Sequence, residues 1–386
     1  MDSTFFDYLR RCFREEGPNA AIDRLCAKLR EQKDYASLFY ALLMRKRHEL
    51  GVSPVPTGPA QDLPTAVHQQ YEDAIREAAR LVGGLYLEER AIPQAWVYFR
   101  MIGEPASVAS AIDKFQPAEG DDIGPIVEIA YHEGVNPRKG FDWILERYGI
   151  CNAITTVTGQ DVAMPADVRA YCLKRLVRAL YNELHERLRG EIARHEGTPP
   201  EEPTVVGLMK GRDWLFEDNF YHIDMSHLSA VVQMSIYLAR GDEIALAREL
   251  CAYGQRLSPQ FRQQGDPPFE DMYRDYAAYL AILTGEDVEK NLGHFRSKAE
   301  DAEPEIAGTR PAEVLVNLLL RLERPAEALA VARRHLAQAD NRPLICPGIA
   351  ELCQRAGDYR TLADVSRERN DPVNFVAGLL GAPKPN

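Results

Sequence analysis

Two histidines and an aspartate lie close together in the stretch FEDNFYHIDMSHLSAVVQM, residues 216–234. His222, Asp224 and His227 fall within six residues of each other. If the backbone before Asp224 is extended, His222 and Asp224 point to the same side, because side chains alternate along a strand. A helix that begins near Ser226 would add His227 from its first turn. Three such ligands with one open position are typical of catalytic zinc or iron centres, so these residues form a candidate metal site.

The same stretch also has the features of a helix start. Asp and Ser are preferred N-cap residues, so Asp224 or Ser226 can accept a hydrogen bond from a first-turn amide. The residues that follow form a stripe at helical spacing: Leu228, Val231, Val232, Ser235 and Leu238. A charged histidine in a first turn costs about 0.3–1 kcal/mol, because it meets the positive end of the helix dipole. We therefore predict a capped helix start here and keep the metal site as the alternative.

The other motif-like stretches lack residues that their chemistry requires. HERLR begins at His185 like the zinc-protease helix H-E-x-x-H, but Arg189 stands where the second histidine is needed. The Gly83-Gly84 pair is not followed by the Lys-Ser/Thr of a phosphate loop. Neither G-x-G-x-x-G nor the nucleophile motif G-x-S-x-G occurs in the sequence. The sequence therefore identifies no catalytic residue and predicts no organic cofactor.

Composition and charge restrict the class of protein. The chain has 386 residues, of which 45% are apolar and 27% charged, as in ordinary folded domains. Its formal net charge is −12. This charge argues against a nucleic-acid partner, because nucleic-acid binding relies on clustered Lys and Arg side chains. We therefore expect a folded protein that does not bind nucleic acid.

The sequence predicts neither a membrane span nor a secretion signal. The most apolar windows, residues 230–239 and 314–322, are much shorter than the ~20 residues that a bilayer requires. Acidic and arginine residues within the first 16 positions interrupt the apolar stretch that a signal peptide needs. The seven cysteines are scattered and include no C-x-x-C pair. These features predict a cytoplasmic location without membrane association.

Helical periodicity extends over most of the chain. In residues 20–32, for example, apolar side chains recur at i, i+3, i+4 and i+7, which is one stripe of an amphipathic helix. The exception is ICNAITTVTG, residues 150–159, where β-branched residues follow Gly149. A lone strand cannot satisfy its backbone donors and acceptors. A helix or an irregular connector is therefore favoured there over one short strand.

Proline- and glycine-rich stretches suggest where the chain is divided. Residues 51–66 contain four prolines and two glycines, which indicates a linker or a long loop. The stretch GTPPEEPT, ending at residue 204, marks a second break. We predict N-terminal helical hairpins in residues 1–50, a helical repeat region in residues 67–204, and a C-terminal helical repeat region in residues 205–386.

One pattern recurs in several predicted helix–turn–helix units. A helix-starting residue is followed four positions later by leucine, with small residues around it. The four copies are Asp34 with Leu38, Asp242 with Leu246, Pro325 with Leu329, and Asp358 with Leu362. The last two copies lie 33 positions apart, close to the 34-residue period of tetratricopeptide repeats. Small residues at these turns allow two helices to pack closely.

Two units resemble the tetratricopeptide repeat in detail. The first carries a large apolar residue, a small residue, an aromatic, an alanine and an aromatic at Val82, Gly83, Tyr86, Ala95 and Phe99. In the second, Leu319 closes one helix, Ala328 opens the next, Ala332 follows one turn later and Pro343 lies near the exit. The resemblance covers roughly half the chain. It implies an all-α fold, an α-α superhelix in which helical hairpins stack side by side; an irregular all-α bundle or enzyme is the alternative.

The resemblance also implies a function. Stacked helical hairpins expose a concave groove that commonly holds a protein or a peptide, so we expect a binding scaffold or adaptor rather than an enzyme. The net negative charge favours a basic or amphipathic peptide as the partner. A metal-dependent enzyme that uses His222, Asp224 and His227 is the main alternative. A third is a regulatory module that dimerises through its grooves, and the sequence leaves the oligomeric state open.

Overall fold

The computed structural model describes residues 3–55, 63–159, 164–238, 241–303, 305, 307–336 and 344–382. It is 75% helical, and no strand forms within these ranges. The prediction of an all-α fold is therefore confirmed. A single isolated backbone bridge pairs Gln264 with Asp271. Residues 56–62 of the predicted linker, and Pro343 of the predicted repeat, lie outside the described residues.

The chain divides into two compact units, Met1–Tyr148 (unit 1) and Gly149–Asn386 (unit 2). The α-helices of unit 1 are α1 (Ser3–Glu15), α2 (Pro18–Glu31), α3 (Tyr35–Glu49), α4 (Thr65–Glu88), α5 (Ile92–Ile102), α6 (Ala106–Lys114), α7 (Gly124–Val127) and α8 (Pro137–Trp143). Two π-helical turns, Glu128–His132 and Ile144–Tyr148, follow α7 and α8. Helices α1 to α5 each pack against the next helix along the chain. The four-part division suggested by the sequence stays a prediction.

Helices α4 and α5 approach each other closely at Gly83. A β-carbon built on Gly83 would lie 2.7 Å from Cε2 of the Phe99 ring. Val82 and Ala95 beside this contact are fully buried. The small residue and the second aromatic of the repeat pattern therefore touch each other, and only glycine leaves room for the Phe99 ring at this distance.

Unit 2 contains twelve further α-helices within its described residues. They are α9 (Gly149–Thr158), α10 (Ala166–Glu196), α11 (Val205–Met209), α12 (Met225–Met234), α13 (Asp242–Arg256), α14 (Met272–Thr284), α15 (Val288–Glu300), α16 (Arg310–Arg321), α17 (Pro325–His335), α18 (Ile349–Ala356), α19 (Tyr359–Glu368) and α20 (Pro372–Gly381). Three short 3-10 segments span Asp213–Asn219, Ser235–Tyr237 and Pro259–Phe261.

The β-branched stretch after Gly149 is helical. Helix α9 buries Ala153, Ile154 and Val157 on one face. Gly149, the first residue of α9, has a φ of 81° and directly follows the π-helical turn Ile144–Tyr148. The preference for a helix or connector over a strand is therefore confirmed, because burial on a helical face offset the modest helix propensity of the β-branched residues.

The 31-residue helix α10 forms the centre of unit 2. It packs against α9, α11, α12 and α13. Its inward face is a leucine stripe that is almost completely buried: Leu173, Leu176, Leu180, Leu184 and Leu188. An ion pair adds to this apolar contact. Buried Glu243 of α13 lies 2.8 Å from Nη2 of Arg178 and 3.5 Å from Nζ of Lys174, so its charge is compensated.

All four copies of the recurring pattern begin helices. Asp34 and Asp358 are the N-cap residues of α3 and α19, and Asp242 and Pro325 are the first residues of α13 and α17. Their leucines are buried except for Leu246, which is half-buried.

The partial exposure of Leu246 has a local cause. Helix α13 buries a stripe of side chains made of Ile244, Ala247, Leu250 and Cys251, and Leu246 lies beside that stripe. The sequence pattern therefore located the helix start correctly but not the buried face of this helix.

Helix α20 begins at a capped turn. Asp371 accepts hydrogen bonds from the backbone N–H groups of Val373 at 3.1 Å and Asn374 at 3.0 Å, and Pro372 occupies the first helical position. However, α20 exposes four large apolar side chains: Val373, Val376, Leu379 and Leu380. The terminal helix of a repeat stack normally has a polar outer face, and α20 lacks one.

We find no helix in the described ranges with both the length and the apolar character needed to cross a membrane.

Candidate functional site

His222 lies in a buried aromatic environment. Its backbone N–H donates to the Tyr253 hydroxyl at 2.8 Å, and its ring Nδ1 lies 3.2 Å from the same oxygen. The rings of Phe216 and Phe220 are 6.2 and 5.3 Å from the imidazole. Burial lowers the pKa of His222 to about 4, so the ring is neutral at pH 7. Its buried Nε2 has no hydrogen-bond partner among the described residues.

Asp224 and His227 belong to the start of α12. The Asp224 carboxylate accepts from the backbone N–H of Ser226 at 2.8 Å and of His227 at 3.2 Å. Hydrogen bonding, first from the Ser226 hydroxyl, lowers the pKa of Asp224. The predicted capped helix start is thus confirmed. In the portion of the chain that the structure describes, no three His, Cys, Asp or Glu side chains are grouped as metal ligands, and the metal site stays a prediction.

A concave surface of unit 2 lies away from that stretch. It is a groove of about 760 Å³, and we call it the unit 2 groove. Helices α14 and α16 together contribute eight of its lining residues. The ends of α9 and α12, one turn of α10, the 3-10 segment Ser235–Tyr237, residues 265–269, residues 345–347 and α18 complete the lining. Each of these segments contributes only a few side chains, so no contiguous motif marks the groove in the sequence.

Aromatic rings form part of the groove wall. Phe269 stacks on Tyr276 with ring centroids 4.1 Å apart and an angle of 14° between the planes. Tyr279 lies behind them, and its ring centroid is 6.1 Å from that of Phe269. Tyr237 contributes a more accessible ring, with 59% of the residue exposed. The groove therefore offers both a packed aromatic surface and an exposed tyrosine to a ligand.

A buried carboxylate fixes the loop that carries Phe269. Asp275 is 1% exposed, and its Oδ2 accepts from the backbone N–H of Asp271 at 3.0 Å. The same carboxylate lies 2.7 Å from Nε2 of His294 and 2.9 Å from Nζ of Lys298. Lys298 also pairs with Glu270. These contacts hold the end of the loop against α14 and α15.

Two polar contacts fix the opposite rim of the groove. The backbone N–H of Ile345 donates to Oε2 of buried Glu313 at 2.8 Å, and Nδ2 of Asn317 donates to the Ile345 carbonyl at 3.0 Å. The Arg321 guanidinium donates to the carbonyl oxygens of Ile236 and Leu238. Helix α16 therefore positions the segments on both of its sides, which gives the groove a defined shape.

The groove lining carries more positive than negative charge. Four arginines line it, Arg169, Arg310, Arg321 and Arg355, whereas Asp266 is the single acidic residue among the described lining residues. No sequence motif marks any of these residues. The four arginines lie on three helices that are separated along the chain, so their proximity is a result of the fold.

No protein-family model matches this chain, and no curated protein matches it either.

Proposed function

We propose that the protein is a helical-repeat scaffold of the tetratricopeptide type, and that it binds a peptide segment of a partner protein in the unit 2 groove. The groove itself is the observation that carries this proposal. At about 760 Å³ it lies within the range of sites that bury most of a small ligand. It combines aromatic side chains with charged and amide side chains, which can fix the orientation of a bound ligand.

The repeat architecture supports the same function. Consecutive helices such as α16 and α17, or α17 and α18, pack against each other in chain order. Leu319, Ala328 and Ala332, which carry the resemblance in this part of unit 2, are all fully buried. Small residues between adjacent helices allow the close packing of helical hairpins. Such stacks bind partners through an extended surface rather than through a reaction centre.

An exposed tyrosine in the groove allows a direct test. Peptides selected from a displayed random library would be measured by fluorescence anisotropy against the wild type and Tyr237→Ala. We expect roughly tenfold weaker binding by Tyr237→Ala, since loss of a tyrosine at the centre of an interface commonly costs more than 1 kcal/mol. Tyr40→Ala is the matched control, because Tyr40 is equally accessible, at 63%, but lies in unit 1. Selected peptides that bind Tyr237→Ala and the wild type equally would contradict the proposal.

The alternative function, a metal-dependent enzyme, rests on His222, Asp224 and His227. The unpartnered Nε2 of His222 is the feature that favours it. Against it, Asp224 is engaged at the helix start, and Nδ1 of His222 faces Tyr253. Metal analysis of the purified protein separates the two functions. A stoichiometric ion that is lost in His222→Ala would support the enzyme and displace the scaffold.

A further inference from the structure

We infer that the unit 2 groove selects an acidic peptide, an extended segment that carries Asp or Glu side chains. This inference rests on the proposed function and names the chemistry of the partner. Its basis is the charge of the groove lining, where four arginines face one aspartate among the described residues. Arginine binds carboxylates through two parallel hydrogen bonds, which favours acidic side chains over neutral ones.

Arg310 has the charge that is most accessible to a ligand. It is exposed at the first position of α16. Among the described residues, no carboxylate pairs with its guanidinium, whereas Arg355 of the same lining pairs with Glu351. Burial raises the pKa of Tyr276 in the groove wall, and the charge of Arg310 acts in the opposite direction, which places that charge beside the aromatic wall. Arg310 is therefore positioned to bind a carboxylate next to a packed aromatic surface.

Arg321 contributes a charge that is held in place. Its guanidinium donates to the carbonyls of Ile236 and Leu238, which orient it without neutralising its charge. Because the fold already fixes this side chain, little conformational entropy is lost when a ligand binds nearby. A fixed positive charge on one wall and an accessible one at Arg310 provide two points of attraction for an acidic segment.

The other charges near the groove weaken its attraction for an acidic peptide but do not reverse it. Arg355 pairs with Glu351 at 2.5 Å, so its charge is shared. Behind the wall, buried Glu313 is engaged by the Thr309 hydroxyl and the Ile345 backbone N–H. Arg169 on α10 adds a half-buried positive charge. Within the described lining itself, the four arginines outnumber the single acidic residue, Asp266.

The local charge outweighs the net charge of the protein for a ligand in the groove. Charges farther away than about 8 Å are largely screened at physiological salt. The net charge of −12 is spread over the whole chain, so most of it lies beyond this distance. An acidic peptide is therefore a better partner for this groove than the basic one that the net charge alone predicts.

A peptide fits the lining better than a nucleic acid does. The aromatic wall at Phe269 and Tyr276 continues into aliphatic side chains, including Val314, Leu320 and Ile345. These surfaces match apolar peptide side chains that alternate with acidic ones along an extended segment. Nucleic-acid binding would instead require a broad basic surface along the backbone.

Three matched peptides and two matched variants test this inference. The peptides share one sequence of apolar residues selected on the groove, with Glu, Gln or Lys at alternate positions. We expect the Glu peptide to bind at least tenfold more tightly than the Gln peptide, and the Lys peptide to bind most weakly. Added NaCl should reduce this difference, since screening weakens attraction between accessible charges.

Arg310→Gln should reduce affinity for the Glu peptide about tenfold and leave the Gln peptide within about twofold of the wild type. Arg360→Gln is the charge-matched control. Arg360 is an exposed residue of α19 outside the described groove lining, and its replacement changes the net charge by the same amount. Circular dichroism would verify that both variants fold. We expect them to fold, because both arginines are exposed.

The outcomes separate this inference from the proposed function. If the Glu and Gln peptides bind equally and Tyr237→Ala weakens both, the peptide groove stands and the acidic selection is wrong. If no peptide shows binding that depends on Tyr237, both the proposed function and the inference of an acidic peptide are wrong. The protein could instead bind inorganic phosphate or single-stranded DNA more tightly than the Glu peptide, in a manner that depends on Arg310. That result would also overturn the inference that the partner is an acidic peptide.

Discussion

Replacing Gly83 with alanine tests the closest contact between α4 and α5. The new β-carbon would lie 2.7 and 2.9 Å from two ring carbons of Phe99, well inside normal contact distance. The ring has little room to move, since Phe99 is only 4% exposed. Gly84, the next residue on the same helix, has no atom within 4 Å of its built β-carbon. Gly84→Ala is therefore a matched control that makes the same chemical change without the contact.

The expected magnitudes follow from two opposing effects. Alanine is favoured over glycine inside a helix by about 1 kcal/mol, so Gly84→Ala should increase the free energy of unfolding by about that amount. Gly83→Ala receives the same benefit but forces side chains apart, which costs about 1–3 kcal/mol in a packed core. We expect Gly83→Ala to be destabilised by up to about 2 kcal/mol, and the two variants to differ by about 1–3 kcal/mol.

Hydrogen exchange measured by mass spectrometry on the full chain reports this effect locally. Peptides from α4 and α5 should exchange faster in Gly83→Ala and slower in Gly84→Ala, while peptides from unit 2 serve as an internal reference. A double variant with Phe99→Leu should recover part of the loss, with a coupling energy of about 1 kcal/mol, because the two side chains contact each other. Equal stabilisation by both alanine variants, without coupling to Phe99, would refute the contact.

Three further predictions concern unit 2. The unfolded state binds a proton at His222 near pH 6.5, and the folded state only near pH 4. The free energy of unfolding should therefore fall by up to about 1.4 kcal/mol per pH unit as the pH decreases between these values. Urea unfolding of His222→Asn should show a shallower decline, and an unchanged slope would contradict the lowered pKa of His222. Lys298→Met removes a cation beside buried Asp275 and should cost about 3 kcal/mol in urea unfolding; a loss below about 1 kcal/mol would show that the buried carboxylate does not depend on it. Asp371→Ala removes two N-cap hydrogen bonds and should destabilise α20 by about 1 kcal/mol, seen as faster hydrogen exchange confined to that helix.

Helix starts were predictable from the sequence because capping is local. Asp224 and Asp371 bind backbone N–H groups two and three residues ahead, and the sequence shows these positions directly. The repeat pattern assigned Gly83 and Phe99 to a small and an aromatic position, and the structure brings them into contact on neighbouring helices joined by a short turn. In each case, the partners lie within one helix or one helical hairpin.

The direction of a helix face was harder to predict than its start. Leu246 occupies the same position in its pattern as Leu329, yet it is half-buried while Leu329 is 4% exposed. The rotation of α13 is set by several neighbours, α10, α11, α12 and α14. Packing against that set of helices selects the stripe with Ile244 and Ala247, and no short sequence window contains this information.

The groove was not predictable because its chemistry depends on distant parts of the chain. Arg169, Arg310 and Arg355 come from α10, α16 and α18, and each one alone is an ordinary residue of an amphipathic helix. Net charge is a sum over the whole sequence, whereas a ligand responds to charges within about one Debye length. Folding collects positive side chains on one concave surface of an acidic protein, so the local charge there has the opposite sign to the total. For this reason, the charge preference of a helical scaffold has to be inferred from the lining of its groove, and Arg310 is the residue at which that inference is most directly tested.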